Sequence, residues 1–141
     1  MFLAVDPGGT IGYVLAEDAP EPELMTVAHW GEVPKAKHQA FLERVWNAAE
    51  AGQLQSIVVE AFRPTAGVKS WQPDALYQIG VLRFIANRFK IPIAIQGVTD
   101  ARTFSTPAKE APFKFVGKGG KGHARMALKH AIRWRWINYY G

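Results

Sequence analysis

The chain has 141 residues and no cysteine, which excludes a disulfide framework and a thiolate metal site. One domain, 1–141, is the expectation, and a chain of this size buries about 68–70% of the surface it exposes when unfolded. No apolar run is long enough to span a bilayer and no leader-like segment is recognisable, so a soluble, cytoplasmic protein without a membrane partner is expected. The formal net charge of +5 is unevenly spread. Residues 1–60 hold three Lys/Arg and nine Asp/Glu, whereas residues 101–141 hold nine and one. A basic second half suits a polyanionic partner, and a solvated basic surface is the plainer alternative.

In chain order, Phe2 to Val5 is an apolar run ending in one carboxylate, Asp6. Pro7, Gly8 and Gly9 follow, then a second apolar run from Ile11 to Ala16. A turn this short joins only antiparallel strands, which puts Asp6 at the tip of a buried strand. A carboxylate there must be paired, hydrated or bound to a cation, unless it caps its own Asp-Pro-Gly turn. Glu17 to Glu23 is acidic and Pro-rich and reads as a surface turn, and Thr26 to Val33 as a third strand. His38 to Ala51 has the apolar spacing of one helical face, with Gly52 as its stop.

Ser56 to Glu60 is again an apolar run closed by a carboxylate and reads as a buried strand. A loop with Phe62, Arg63 and Lys69 leads to Trp71 and to a helix from Pro73 to about Arg88. Ala75, Ile79, Leu82, Ala86 and Phe89 form one seam of that helix, and Leu76, Val81 and Ile85 widen it. A helix apolar on more than one side is buried on more than one side, by this domain or by a second subunit. Ile91 to Gln96 reads as a fifth strand, at the sheet edge because of Pro92. Residues 97–118 show no period, and 117–122 is a basic Gly loop.

A last helix runs from Lys121 to about Trp136. His123, Met126, Ala127, His130, Ala131 and Trp134 share its inward face. Lys121, Arg125, Lys129 and Arg133 follow at i+4 on the other side, as a solvated face or a nucleic-acid contact. His123, at a helix start after a Gly loop, reads as a ligand candidate, whereas His130 reads as a core histidine. The predicted fold class is α/β: a mixed five-stranded sheet, an antiparallel meander then parallel strands, flanked by helices. Asp6 and Glu60 then meet at one edge of the sheet, where open α/β sheets bind ligands. Two carboxylates within reach share a proton or a cation, and beside a basic surface a hard divalent cation such as Mg²⁺ is the reading.

The sequences DPGGTIGY after the first strand, VVEAF at a later strand end and GHARMALKHA on the final helix resemble those of phage-type RuvC-like Holliday-junction resolvases of the RNase H-like superfamily. Order and spacing match over nearly the whole chain. The resemblance implies a homodimer that cleaves branched DNA, such as four-way junctions, by two-metal phosphodiester hydrolysis with Mg²⁺, or Mn²⁺ in its place. By position it carries two metal-binding acids onto Asp6 and Glu60 and a third ligand onto His123, the three catalytic residues. Arg63, Lys69, Lys118, Lys121 and Arg125 are the phosphate candidates, and Phe62 and Trp71 the candidates for base stacking.

The family's final motif resembles GHxxDAxxHA, and this chain has Met126 where the acid stands. A thioether is a poor partner for Mg²⁺, so a fourth ligand is missing at that position. Asp100 and Glu110 do not match the motif. A junction-binding protein with weakened cleavage is therefore the alternative. A sugar kinase of the actin-like class, which DPGGT also resembles, needs a second lobe for which the chain has no room, so no nucleotide cofactor is expected.

Overall fold

In the computed structural model, which describes residues 1–61, 73–113 and 122–140, the strand β1 (Phe2–Asp6) is the centre of the sheet. All five of its residues are buried, which is why it reads as an unbroken apolar run rather than an alternation. It pairs antiparallel with β2 (Ile11–Glu17) and parallel with β4 (Ser56–Glu60). β3 (Thr26–Val33) extends the antiparallel side, and β5 (Ile93–Gln96) the parallel side. The order is β3-β2-β1-β4-β5. β5 is an edge strand, as Pro92 implies, but it begins at Ile93. Ile91 packs in the core instead, and the Pro92 carbonyl accepts the Ile57 N–H at 3.0 Å.

The two faces of the sheet have separate cores. On one face Leu3, Val5, Ile57 and Val59 meet α1 (His38–Glu50) and α2 (Pro73–Phe89) through Leu42, Val45, Leu82 and Ile85. On the other, Phe2, Ala4 and Val58 meet α5 (Gly122–Tyr140) through Ala127, Leu128, Ala131 and Ile132. Odd and even positions of β1 thus serve opposite layers, as the period of two requires.

Two expectations change, and one left open is narrowed. The stretch without a period contains two short helices, α3 (Val98–Phe104) and α4 (Pro107–Glu110), the second begun by Pro107 and capped by the Thr106 hydroxyl. The last helix continues to Tyr140, one turn beyond Trp136. In α2, Leu82, Ile85 and Ala86 are covered by this chain itself, and the surplus apolar surface consists of Leu76, Tyr77 and Phe84, at 39%, 67% and 61% exposure. No helix among the described residues is long and apolar enough to cross a membrane.

Candidate active site

Parallel pairing of β1 with β4, in the register Val5↔Val59, brings the next residues, Asp6 and Glu60, out at the same end of the sheet. They line one cavity of about 390 Å³, together with Arg102, His123 and Met126. Asp6 does not cap its own turn. The Gly8 N–H is taken instead by Gln78 Oε1 at 2.8 Å, and Gln78 Nε2 donates back to the Gly8 carbonyl at 2.9 Å. Gly8 has a φ of 153°, which a side chain would strain. Gln78 also donates to His38 Nδ1 at 3.1 Å, while His38 Nε2 donates to the Val33 carbonyl at 3.2 Å. The turn that ends β1 is therefore clamped by a buried amide from α2 with every polar atom of that amide used.

The two carboxyls are pushed in opposite directions. Burial, then the charge of Glu60 and a hydrogen bond to it, push Asp6 up to about 8. Burial also acts to raise Glu60, but hydrogen bonds from His130 and Asp6 and the charges of His130 and Arg102 outweigh it and leave Glu60 below the usual range. Asp6 is thus the protonated partner at neutral pH and Glu60 the charged one.

One helix supplies the remaining side chains. His123, at the start of α5, sets its ring Nδ1 3.0 Å from Asp6 Oδ2, with the ring half exposed. Met126, three residues on, lines the cavity. His130, fully buried, is more than a core histidine: its Nε2 lies 3.2 Å from Glu60 Oε2 and its Nδ1 3.1 Å from Gln96 Oε1. An ionised carboxylate only accepts, so Nε2 donates and fixes the Glu60 side chain. The signal for this role was in the sequence, because His130 falls one turn past Met126 on the same face.

Arg102 was not legible, since it lies on the seven-residue α3 in the aperiodic stretch. Gln78 left a weak signal, a single polar residue within the buried positions of α2.

Arg125 is placed differently from the solvated stripe. Its Nε donates to Glu110 Oε1 at 3.3 Å, and Lys129 Nζ lies 3.1 Å from the same oxygen. Glu110 is only 3% exposed, so these two cations serve to bury an acid between α4 and α5, and Glu110 is no cavity ligand. Arg125 remains half exposed and keeps donors for another partner. Arg63, Lys69, Lys118 and Lys121, and with them Phe62 and Trp71, lie outside the described residues.

Among the described residues no three His, Asp or Glu side chains are gathered closely enough to cage a metal ion by themselves. The donor set nonetheless fits Mg²⁺, which takes one or two carboxylates and completes its shell with water and phosphate oxygens. Asp6 and Glu60 offer hard oxygens, and the Met126 thioether offers nothing suited to that ion.

No protein-family model matches the chain, and no curated protein matches it. Solved structures do. RuvC of T. thermophilus in complex with a Holliday junction substrate superposes with a TM-score of 0.73 at 15% identity, over 100% of this chain and 97% of that one. The fowlpox virus resolvase with its substrate Holliday junction DNA gives 0.62 at 8% identity, over 97% and 99%. The yeast mitochondrial Holliday junction resolvase Ydc2 gives 0.57 at 13%, over 98% and 79%. At these identities the likeness is one of fold: the chain has the RNase H-like fold of RuvC.

Proposed function

We propose that the chain is a structure-selective DNA endonuclease that resolves four-way junctions, acting as a homodimer with Mg²⁺ or Mn²⁺. The observation that carries this reading is the pair of carboxyls of Asp6 and Glu60, at the ends of adjacent parallel strands, in a cavity walled by His123 and Arg102. The fold's solved neighbours, which are junction resolvases, support the substrate class. Asp6, Glu60 and His123 are the donors for divalent cations. Such a cation lowers the pKa of bound water and offsets charge building on the phosphate.

The chain's own residues divide the remaining work. His130 holds the Glu60 carboxylate in one orientation through its Nε2–H. His123 does the same for Asp6 from the open side of the cavity. The Arg102 guanidinium, whose charge is felt by both acids, lines the cavity and is the group to receive a phosphate oxygen in a forked contact. Arg125 and the basic residues at 63, 69, 118 and 121 neutralise the DNA backbone, which supplies most of the affinity and makes it salt-dependent. Leu76, Tyr77 and Phe84 on α2 form the surface for a second copy, and a two-fold dimer matches the two-fold symmetry of a four-way junction.

The test is gel cleavage of a synthetic four-way junction with Mg²⁺ and, separately, Mn²⁺. Paired nicks are expected from the parent, and junction binding without nicks from Asp6→Asn. Nicking by the Asn variant at the parent's rate would remove Asp6 from the mechanism. Met126 in the cavity favours a second reading, a junction-binding protein with weak cleavage. In that case the parent binds the junction and leaves it intact with either ion.

A further inference from the structure

His123 opens α5, and the first four N–H groups of a helix have no partner within it. Three neighbouring strands meet this residue in one row. The registers set Asp6 of β1 opposite Gly12 of β2, and Gly12 opposite Glu32 of β3. Cross-strand partners project to the same face of a sheet. Asp6 Oδ2 lies 3.0 Å from the His123 ring Nδ1, and Glu32 Oε2 accepts the His123 backbone N–H at 3.0 Å. Between them, the main chain of His123 rests on Gly12. A Cβ at Gly12 would stand 2.0 Å from the His123 carbonyl oxygen and 2.7 Å from the Ala124 nitrogen, so only glycine admits the helix here.

Asp6 touches the ring, Gly12 lies under the carbonyl and Glu32 holds the amide, so the residue is fixed at three points by three strands. α5 has no acidic residue in its own first turn, so the acceptor for its His123 N–H comes from Glu32 on β3. Glu32 is half-buried and is not among the residues that line the cavity of Asp6 and Glu60. Its hydrogen bond reaches the site through His123, and its charge is also felt by Asp6.

We infer that Glu32 is a positioning residue: it caps α5 from β3 and, with Gly12 giving the clearance, holds the His123 ring against Asp6. The contact is a property of the fold. Its consequence for metal binding rests on the nuclease reading above. What the seat uses is an acceptor oxygen, so Gln can replace Glu32 and Ala cannot.

Two measurements on the parent, Glu32→Gln and Glu32→Ala test this. The first is amide exchange at His123 by NMR in metal-free protein, where a protected first-turn amide is itself the signature of an outside partner. The second is Mn²⁺ affinity by calorimetry. Glu32→Gln is expected to keep the amide protected and the affinity within about threefold of the parent, whereas Glu32→Ala speeds exchange of that amide at least about tenfold and weakens Mn²⁺ by about tenfold or more.

Equal losses in the Gln and Ala variants would overturn the inference, because charge rather than the hydrogen bond would then be at work. So would an Ala variant that leaves both readouts at the parent's values. Should the parent bind no Mn²⁺, the nuclease reading fails, and the exchange measurement alone decides the seat.

Discussion

Asp6 titrates in a window that few other carboxyls share, and Asp6→Asn removes that titration while keeping the shape. The native carboxyl is raised from 3.8 to about 8. A raised acid binds its proton more tightly in the folded state, so its stabilising effect is full below the unfolded value and is lost as pH rises through the folded one. Glu60 runs the opposite way: its lowered pKa contributes stability above the ordinary carboxyl range, lost only as pH falls into acid. Between about pH 5 and 8 the falling contribution is therefore that of Asp6, at about 1.4 kcal/mol per pH unit, or roughly 4 kcal/mol over the window. For a domain of this size that is on the order of 10 °C in Tm.

Asn retains one acceptor for His123 and one donor for Glu60, so its stability should not follow this slope. The assay is denaturant unfolding of both proteins in chelator across the window. Parallel curves for parent and variant would refute the assignment of the proton to Asp6. Mg²⁺ should oppose the loss, because binding displaces the proton, with affinity rising by up to about tenfold per pH unit until about pH 8.

Met126→Asp puts a hard oxygen in the cavity one turn from His123, and should raise Mg²⁺-dependent junction cleavage at least about tenfold, about 1.4 kcal/mol of barrier. In gel assays, no gain, together with a Tm lowered equally with and without metal, would mean that Met126 only packs. Gln78→Leu leaves the Gly8 N–H and carbonyl unpaired beneath α2, which should cost about 2–4 kcal/mol in denaturant unfolding; a loss under about 0.5 kcal/mol, the range of ordinary surface changes, would show that the turn holds without the clamp. Tyr77→Glu with Phe84→Glu should convert a dimer to monomers without unfolding, because both side chains are exposed. A parent that is monomeric by light scattering at micromolar concentration would end the dimer assignment.

β1 and β4 were legible because burial on two faces leaves little room for polar residues until the chain emerges. β1 and β4 each run apolar and then end on an acid, and that ending located both carboxylates before any fold was known. α1 was legible from the 3 and 4 spacing of Leu42, Val45 and Ala49. The part of the site carried by α3 was not. A seven-residue helix has too few turns for its period to show, and Arg102 is one of nine basic residues in the last 41. The faces of α2 were left open for a different reason. Spacing alone does not say whether an apolar face meets the sheet, α1 or solvent. Leu82 and Ile85 are covered within the chain, whereas Tyr77 and Phe84 are not. The pairing of Arg125 and Lys129 was not legible because their buried partner, Glu110, stands 15 residues from Arg125 in the aperiodic stretch.

The site depends on how closely α5 lies on the sheet. His123, Met126 and His130 are spaced three and four apart, and they face in turn Asp6, the cavity and Glu60. An imidazole is short, so these contacts form only if the helix backbone is near the strand ends. Small residues beside them on the helix allow this approach: Ala124, Ala127 and Ala131 are fully buried, and beneath the first turn lies Gly12. A larger side chain at any of these four positions would lift the helix by the thickness of the added atoms, because packed interiors have no space to absorb them. The rings would move away from both carboxyls. Small residues on an otherwise ordinary amphipathic helix thus do more than fill a core. They set the distance at which two histidines on one helix meet two acids on two different strands, and they explain why the inward face of α5 carries alanines where a helix serving stability alone would carry leucines.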